Sequence, residues 1–195
     1  FRSDKGRRDY RNSNILNYIP AINEITSRGG WVVRLGDNTM RPLPAMKNVI
    51  DYPFTKYKSD FIDLCLIQNC LFYIGCQSGP STTARLFSKN ILLVNIIHLN
   101  FEPMHPNDRG ILKHVYSKRE GRYLSIKELL TRNWEKKIPD PFYSGFVDAN
   151  DFVRTENSEG EISKAVLEYM DFLRNNDLSL TSKQKEFLEY RKMQV

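Results

Sequence analysis

The run Gly75-Cys-Gln-Ser-Gly-Pro-Ser81 carries the clearest chemical signal in this chain. It follows the apolar segment Leu71–Ile74 and precedes a stretch in which Ala84, Leu86 and Phe87 resume an apolar face. This pattern reads as a buried strand, a glycine turn and the opening of a helix. Gly75 permits a sharp backbone turn. Pro80 suits the first helical position, where its missing N–H would be unpaired in any case. A strand that enters a helix through small residues leaves free N–H groups at the positive end of the helix dipole. That is a ready anion site, most often used for phosphate. The plainer alternative is a strand–helix turn that binds nothing.

Two further polar groups fall at the ends of short apolar segments: Arg34-Leu-Gly-Asp37 after Trp31–Val33, and Asp51-Tyr52 after Asn48–Ile50. In an open parallel sheet, ligands bind beyond the carboxyl ends of the strands. If these strands are parallel, all three groups face one crevice. Arg34 is then a candidate for a bidentate phosphate contact. Gln77, Ser78, Gly79 and Ser81 are candidates to hold the same or a neighbouring phosphate, and Asp37 and Asp51 to accept from ribose hydroxyls. The competing reading pairs Arg34 with one of these aspartates at a solvated loop edge.

Other chemistries find no footing. A nucleophile elbow needs Gly-x-Ser-x-Gly, whereas Ser78 stands three residues after Gly75. The phosphate-loop and dinucleotide glycine signatures are missing, as is an Asp-x-Asp pair to clamp a metal-bound diphosphate. Cys65, Cys70 and Cys76 match no zinc spacing, and an odd cysteine count on apolar segments suits a reducing compartment better than a disulfide scaffold. His98, His105 and His114 lie apart, and no metal site is expected.

These candidates must be positioned by a chain of 195 residues, 41% hydrophobic and 27% charged, an ordinary globular composition. No apolar run reaches the roughly 20 residues needed to span a bilayer, and a cytoplasmic location is expected. The net charge of +6 and pI near 9.2 are compatible with an anionic ligand, nucleic acid or a membrane surface, and choose among none of them. Residues 1–13 are dense in charge, including Arg2, Asp4, Lys5, Arg7 and Arg8. They read either as a basic tail or as the end of a strand whose first part precedes Phe1. In the second case Arg2 points into the crevice and stabilises a leaving diphosphate.

Spacing predicts a helix over 14–27 closed by Gly29-Gly30, and strands over 31–35 and 48–52. A helix capped by Ser59 runs to about Asn69, apolar over most of its surface and therefore expected to be well buried. A strand over 71–74, a helix over 80–88 and a strand over 91–95 follow. This alternation implies a parallel sheet with right-handed crossovers. Ile111–Tyr116 reads as another strand, and 138–151 as a packed loop. Ser125-x-x-Glu128, Ser158-x-x-Glu161 and Thr181-x-x-Gln184 read as capping boxes. The expected fold is α/β: a Rossmann-like parallel sheet with helices on both faces over 1–155, with C-terminal helices over 156–195 packing on it.

Several spaced motifs together resemble a family. Asp9-Tyr-Arg-Asn12, Arg34-Leu-Gly36, Ile50-Asp-Tyr52, Ser59-Asp60 with Asp63, and Phe72-x-x-Gly75-x-x-Ser-Gly79 followed by Phe87 and Asn95 resemble an uncharacterised bacterial glycosyltransferase-like family. The likeness covers about residues 1–100. The Ser-Gly-Pro turn is also similar to that of heptosyltransferases, and Phe1-Arg-Ser-Asp-Lys5 to the His-x-Arg-Arg-Thr-Asp-Lys stretch of fucosyltransferases with two Rossmann domains. The resemblance implies a donor-binding domain that holds a nucleoside-diphosphate sugar while another domain binds a glycan or other acceptor. It implies inverting, metal-independent transfer without a cofactor, in bacterial surface glycan synthesis, and is compatible with peripheral membrane association of a full-length protein. By position, Arg2 matches the catalytic arginine, and Ser78 and Gly79 the phosphate-binding turn. Asp4 is a weak general-base candidate. The acceptor-side domain and the histidine two residues before Arg2 are not in this sequence, so the chain reads as part of a longer protein. The rival reading is a non-catalytic nucleic-acid or polyanion binder, which the lack of aromatics interleaved with the N-terminal basic cluster, apart from Tyr10, disfavours. A purely structural domain is the third; an Arg34 buried in an ion pair would favour it.

Overall fold

The segment Asn90-Ile-Leu-Leu-Val-Asn-Ile96 is apolar on both alternating faces, as a strand covered on both sides must be. In a computed structural model, which describes residues 13–97, 105–131, 152–175 and 179–192, it forms the central strand β4, and Ile91 through Ile96 are all buried. Two parallel sheets build the α/β core. One pairs β1 (Val32–Arg34) with β2 (Val49–Asp51); the other has the order β3 (Phe72–Gly75), β4, β5 (Arg109–Leu112).

Helices lie on both faces. On one, α1 (Ile19–Ser27) and α5 (Glu159–Asn175) place Ala21, Ile25, Ile162, Val166 and Tyr169 against Leu92 and Val94, with Val32, Phe72 and Ile74 beside them. On the other, α2 (Asp60–Asn69) and α3 (Gly79–Leu86) place Ile67 and Ala84 against Ile91, Leu93 and Ile96, with Leu35 and Tyr73. The alternation along β4 assigns each side chain to one of these cores. The fold is thus the expected Rossmann-like α/β arrangement, with parallel pairing in both sheets.

Local signals account for the boundaries. Asn14 caps a 3-10 turn over Ile15–Tyr18, which runs into α1. Gly29 adopts φ +84° and the Gly30 N–H donates to the Ile25 carbonyl at 3.0 Å, closing α1 as a glycine C-cap does. All three expected capping boxes form. In the one that opens α5, Ser158 N–H donates to Glu161 at 2.8 Å and Glu161 N–H to Ser158 Oγ at 3.3 Å. The same reciprocal pair opens α4 (Ile126–Thr131) and α6 (Ser182–Lys192).

Three expectations need correction. Helix α2 is not well buried: Ile67 is its buried residue, while Phe61 is 71% exposed and Leu64 45% exposed. The run 111–116 is not one strand, because the chain breaks at Lys113, whose N–H donates to the Ile96 carbonyl at 2.8 Å. Beyond it β6 (His114–Ser117) turns to a small antiparallel sheet of order β7-β6-β8, with β7 at Arg122–Tyr123 and β8 at Phe152–Thr155. Finally, the parallel strands form two sheets rather than one, since β1 and β3 are both edge strands. The expected loop over 138–151 lies outside the described residues.

Candidate functional site

The turn from β3 into α3 is built largely as its residue types suggest. Ser78 is the N-cap, with extended backbone at φ −154° and ψ 173°. Ser81 completes the cap: its hydroxyl accepts the Ser78 N–H at 3.0 Å and donates to the Ser78 carbonyl at 2.7 Å. Ser81 is buried, so its hydroxyl orders the turn rather than facing a ligand. Ser78 Oγ is buried beside the Tyr73 hydroxyl. Burial pushes the Tyr73 hydroxyl up to about 12, so the phenol is neutral at physiological pH.

The two glycines of this turn differ in kind. A Cβ on Gly75 would stand 2.7 Å from the Tyr73 hydroxyl and 2.9 Å from its Cε1, so Gly75 lets the backbone pass a packed ring. A Cβ on Gly79 would meet nothing within 4 Å. Gly79 is therefore not needed by the protein's own packing; it leaves open space at the amino end of a two-turn helix. Gln77 has a structural bond, its Oε1 accepting from the Ile97 N–H at 3.0 Å, which ties the turn to the end of β4.

At the ends of β1 and β2, Arg34 and Asp51 stand opposite each other in register. Arg34 is 7% exposed and its Nη1 donates to Asp51 Oδ1 at 2.9 Å, while Asp51 Oδ2 accepts from the Leu43 N–H at 2.7 Å. The guanidinium also lies 5.8 Å from the centre of the Phe54 ring. The pair joins the two strand ends and anchors the loop that follows β1. Asp37 lies in that loop and organises it, accepting from the Thr39 N–H at 2.8 Å and from the Thr39 hydroxyl. Arg2 and Asp4 lie outside the described residues.

Arg34 and Ser78 line one cavity of about 1240 Å³, together with Gly75, Cys76, Thr39 and Arg41. Two residues of interest, Arg41 and Lys113, were missed by sequence reasoning, and a third, Asn95, entered it only through the motif resemblance. Arg41 is exposed at this cavity, and nothing in its loop sequence marks it. Asn95 is fully buried at φ +55°, and an asparagine inside an apolar strand was a signal available in the sequence. Lys113 is buried just past the carboxyl end of β5, where burial pushes its ammonium pKa down.

The arrangement offers a helix N-terminus beside a cavity that the exposed Arg41 also lines, a geometry suited to an anion. Among the described residues no group of three or more His, Cys, Asp and Glu side chains could hold a metal ion, and no helix is long and apolar enough to cross a membrane. Comparison with protein-family models, curated proteins and solved structures finds no significant match.

Proposed function

We propose that this chain is the nucleotide-sugar-binding part of a glycosyltransferase that moves a sugar from a nucleoside-diphosphate donor to an acceptor. The observation that carries the reading is the open space at Gly79, on the amino end of α3 and just beyond the carboxyl end of β3. A diphosphate there would meet the positive end of the helix dipole. Arg41, exposed at the cavity that Ser78 also lines, supplies a positive charge. Arg34, held by Asp51, shapes the crevice and contributes a charge already balanced by its partner. The motif resemblance over residues 1–100 supports sugar transfer as the chemistry. In that reaction the acceptor oxygen attacks the anomeric carbon as its proton passes to a general base, for which Asp4 is the candidate, the bond to the diphosphate breaks with its electron pair, and the helix end and Arg41 stabilise the charge that leaves.

One observation favours a purely structural domain instead: the buried Arg34–Asp51 pair occupies the arginine that would otherwise be the first candidate for phosphate. Calorimetric titration with GDP, UDP, ADP and CMP, with a short single-stranded RNA as control, separates the readings. Saturable binding of one nucleoside diphosphate with a shallow salt dependence is expected. RNA binding that falls steeply with salt would favour a polyanion binder, and silence towards every ligand would favour a structural domain.

A further inference from the structure

The same cavity reaches well beyond the strand ends and separates the two parallel sheets. It is lined along its length by β1 (Val32, Val33, Arg34) on one side and β3 (Phe72, Tyr73, Ile74) on the other. It is a cleft of about 1240 Å³ that opens to solvent, far more space than packed neighbouring strands leave between them. Each flanking strand is paired on one edge only, β1 to β2 and β3 to β4. Val32 N–H donates to the Asn48 carbonyl at 2.9 Å across the β1–β2 ladder. By strand alternation, the N–H and carbonyl of Val33 therefore turn to the other edge, into the cavity.

The flanking strands run the same way. Tyr18, just before α1, bonds Ser13, and Ser13 Oγ accepts from Asn95 at the carboxyl end of β4. Helix α1 leads away from that end, the chain reverses at Gly29-Gly30, and β1 returns alongside β3. Both faces of the slot are roofed by apolar side chains, Ala21, Ile22 and Ile25 of α1 and Ile62, Leu66 and Ile67 of α2. Trp31 and Leu71, at the amino ends of β1 and β3, also line it and are 67% and 77% exposed.

We propose that this slot takes one extended apolar strand of four to five residues, supplied by polypeptide that precedes Phe1 in the same chain. It runs parallel to β1 and β3 and joins the two sheets into one, with the order β2, β1, added strand, β3, β4, β5. Its chemistry follows from the slot. A central parallel strand covered on both faces is a continuous apolar run, and its backbone satisfies the edge groups of Val33. Residues 1–12 do not fit, because they carry Arg2, Asp4, Lys5, Arg7, Arg8, Asp9 and Arg11, whose burial would be costly. The direction of the chain selects the source. Ser13 stands at the carboxyl end of the slot, where a strand running up it would deliver the chain. The passage from that strand through α1 to β1 is then the usual strand–helix–strand crossover.

The test compares amide hydrogen exchange in the 195-residue chain with that in the natural polypeptide as its gene encodes it. The expected result is at least tenfold slower exchange at the Val33 amide in the longer chain, together with a protected apolar run ahead of Phe1. Equal exchange at Val33 in the two, or the lack of any apolar run ahead of Phe1, would overturn the proposal. Protection at Val33 that rises with concentration in the 195-residue chain would also overturn it, by assigning the slot to a second copy. Should the longer chain prove insoluble, a Val-Ile-Val-Val-Ile extension fused before Phe1 is compared with a Gly-Ser extension. Slower Val33 exchange with the apolar version alone supports the slot, and equal exchange refutes it.

Discussion

Asn95 and Asn157 bind each other reciprocally: the Asn95 N–H donates to Asn157 Oδ1 at 2.7 Å, and the Asn157 N–H donates to Asn95 Oδ1 at 2.6 Å. Both residues are buried. The remaining amide hydrogens reach outward, from Asn95 Nδ2 to Ser13 Oγ at 2.7 Å and from Asn157 Nδ2 to the Leu112 carbonyl at 2.8 Å. One polar cluster thus ties the end of β4 to the start of the described chain, the end of β5 and the segment entering α5. Asn95→Ala removes several of these bonds, leaves the buried Asn157 N–H unpaired and places alanine at φ +55°. A loss of about 3 kcal/mol in urea unfolding is expected. Asn95→Gly should lose about 1 kcal/mol less, since glycine tolerates that φ. A loss within about 0.5 kcal/mol for the alanine variant would show that the cluster is dispensable.

The Arg34–Asp51 pair predicts strong coupling. Arg34→Leu alone leaves the partly buried Asp51 carboxylate without its ion partner and should destabilise by about 2 kcal/mol, in the range for a lost charge-assisted hydrogen bond. Arg34→Leu with Asp51→Leu should be less damaging than Arg34→Leu alone, because no uncompensated charge remains. Additive effects in the double-mutant cycle would mean the two charges do not depend on each other.

Gly75 and Gly79 should respond oppositely to alanine. Gly75→Ala forces the Tyr73 ring to move and should destabilise by about 1–3 kcal/mol. Gly79→Ala enters open space, and stability should stay within about 0.5 kcal/mol of the parent. Bulk at Gly79 is therefore a test of ligand space that leaves the fold intact. Thermal melts of both variants check this; comparable losses would contradict the geometry.

Alkaline pH should unfold the protein through its tyrosines. Burial pushes the hydroxyl of Tyr73 up to about 12 and those of Tyr18 and Tyr169 well above the ordinary value. An unfolded tyrosine ionises near 10. The fold therefore favours the neutral form, and this contribution is complete below about pH 10. As pH rises towards 12 it is lost, at up to about 1.4 kcal/mol per pH unit for each tyrosine. Phenolate absorbance and urea unfolding, followed together from pH 8 to 12, should show these residues ionising with unfolding. Full ionisation near pH 10 in the folded protein would contradict their burial.

What was legible in the sequence was mostly local. Ser158 with Glu161, and Ser59 with Ile62 N–H, are contacts over three residues and follow from spacing alone. The strand over 91–95, and the strand–helix alternation around it, likewise pointed to a parallel sheet with helices on both faces. What escaped depends on neighbours distant in sequence. The apolar surface of α2 predicted burial, yet Phe61 is exposed and Ile62, Leu66 and Ile67 line the cavity, because among the described residues no strand joins β1 to β3. Lys113 interrupts an apparently continuous strand through a hydrogen bond to Ile96, which no local pattern records. At the site, residue types located the turn at Ser78–Gly79 and offered an Arg34–aspartate pair as the competing reading, but could not say that Ser81 would face inward or that Asp51 rather than Asp37 would be the partner.

The most direct test of the account follows individual backbone amides by NMR as a nucleoside diphosphate is titrated, with the bare nucleoside as control. The prediction is that the Gly79 and Ser81 amides shift saturably with the diphosphate, barely move with the nucleoside, and cease to respond in a folded Gly79→Val variant. Diphosphate binding that leaves both amides unmoved, or that persists undiminished in Gly79→Val, would contradict the assignment of the α3 amino end as the phosphate site.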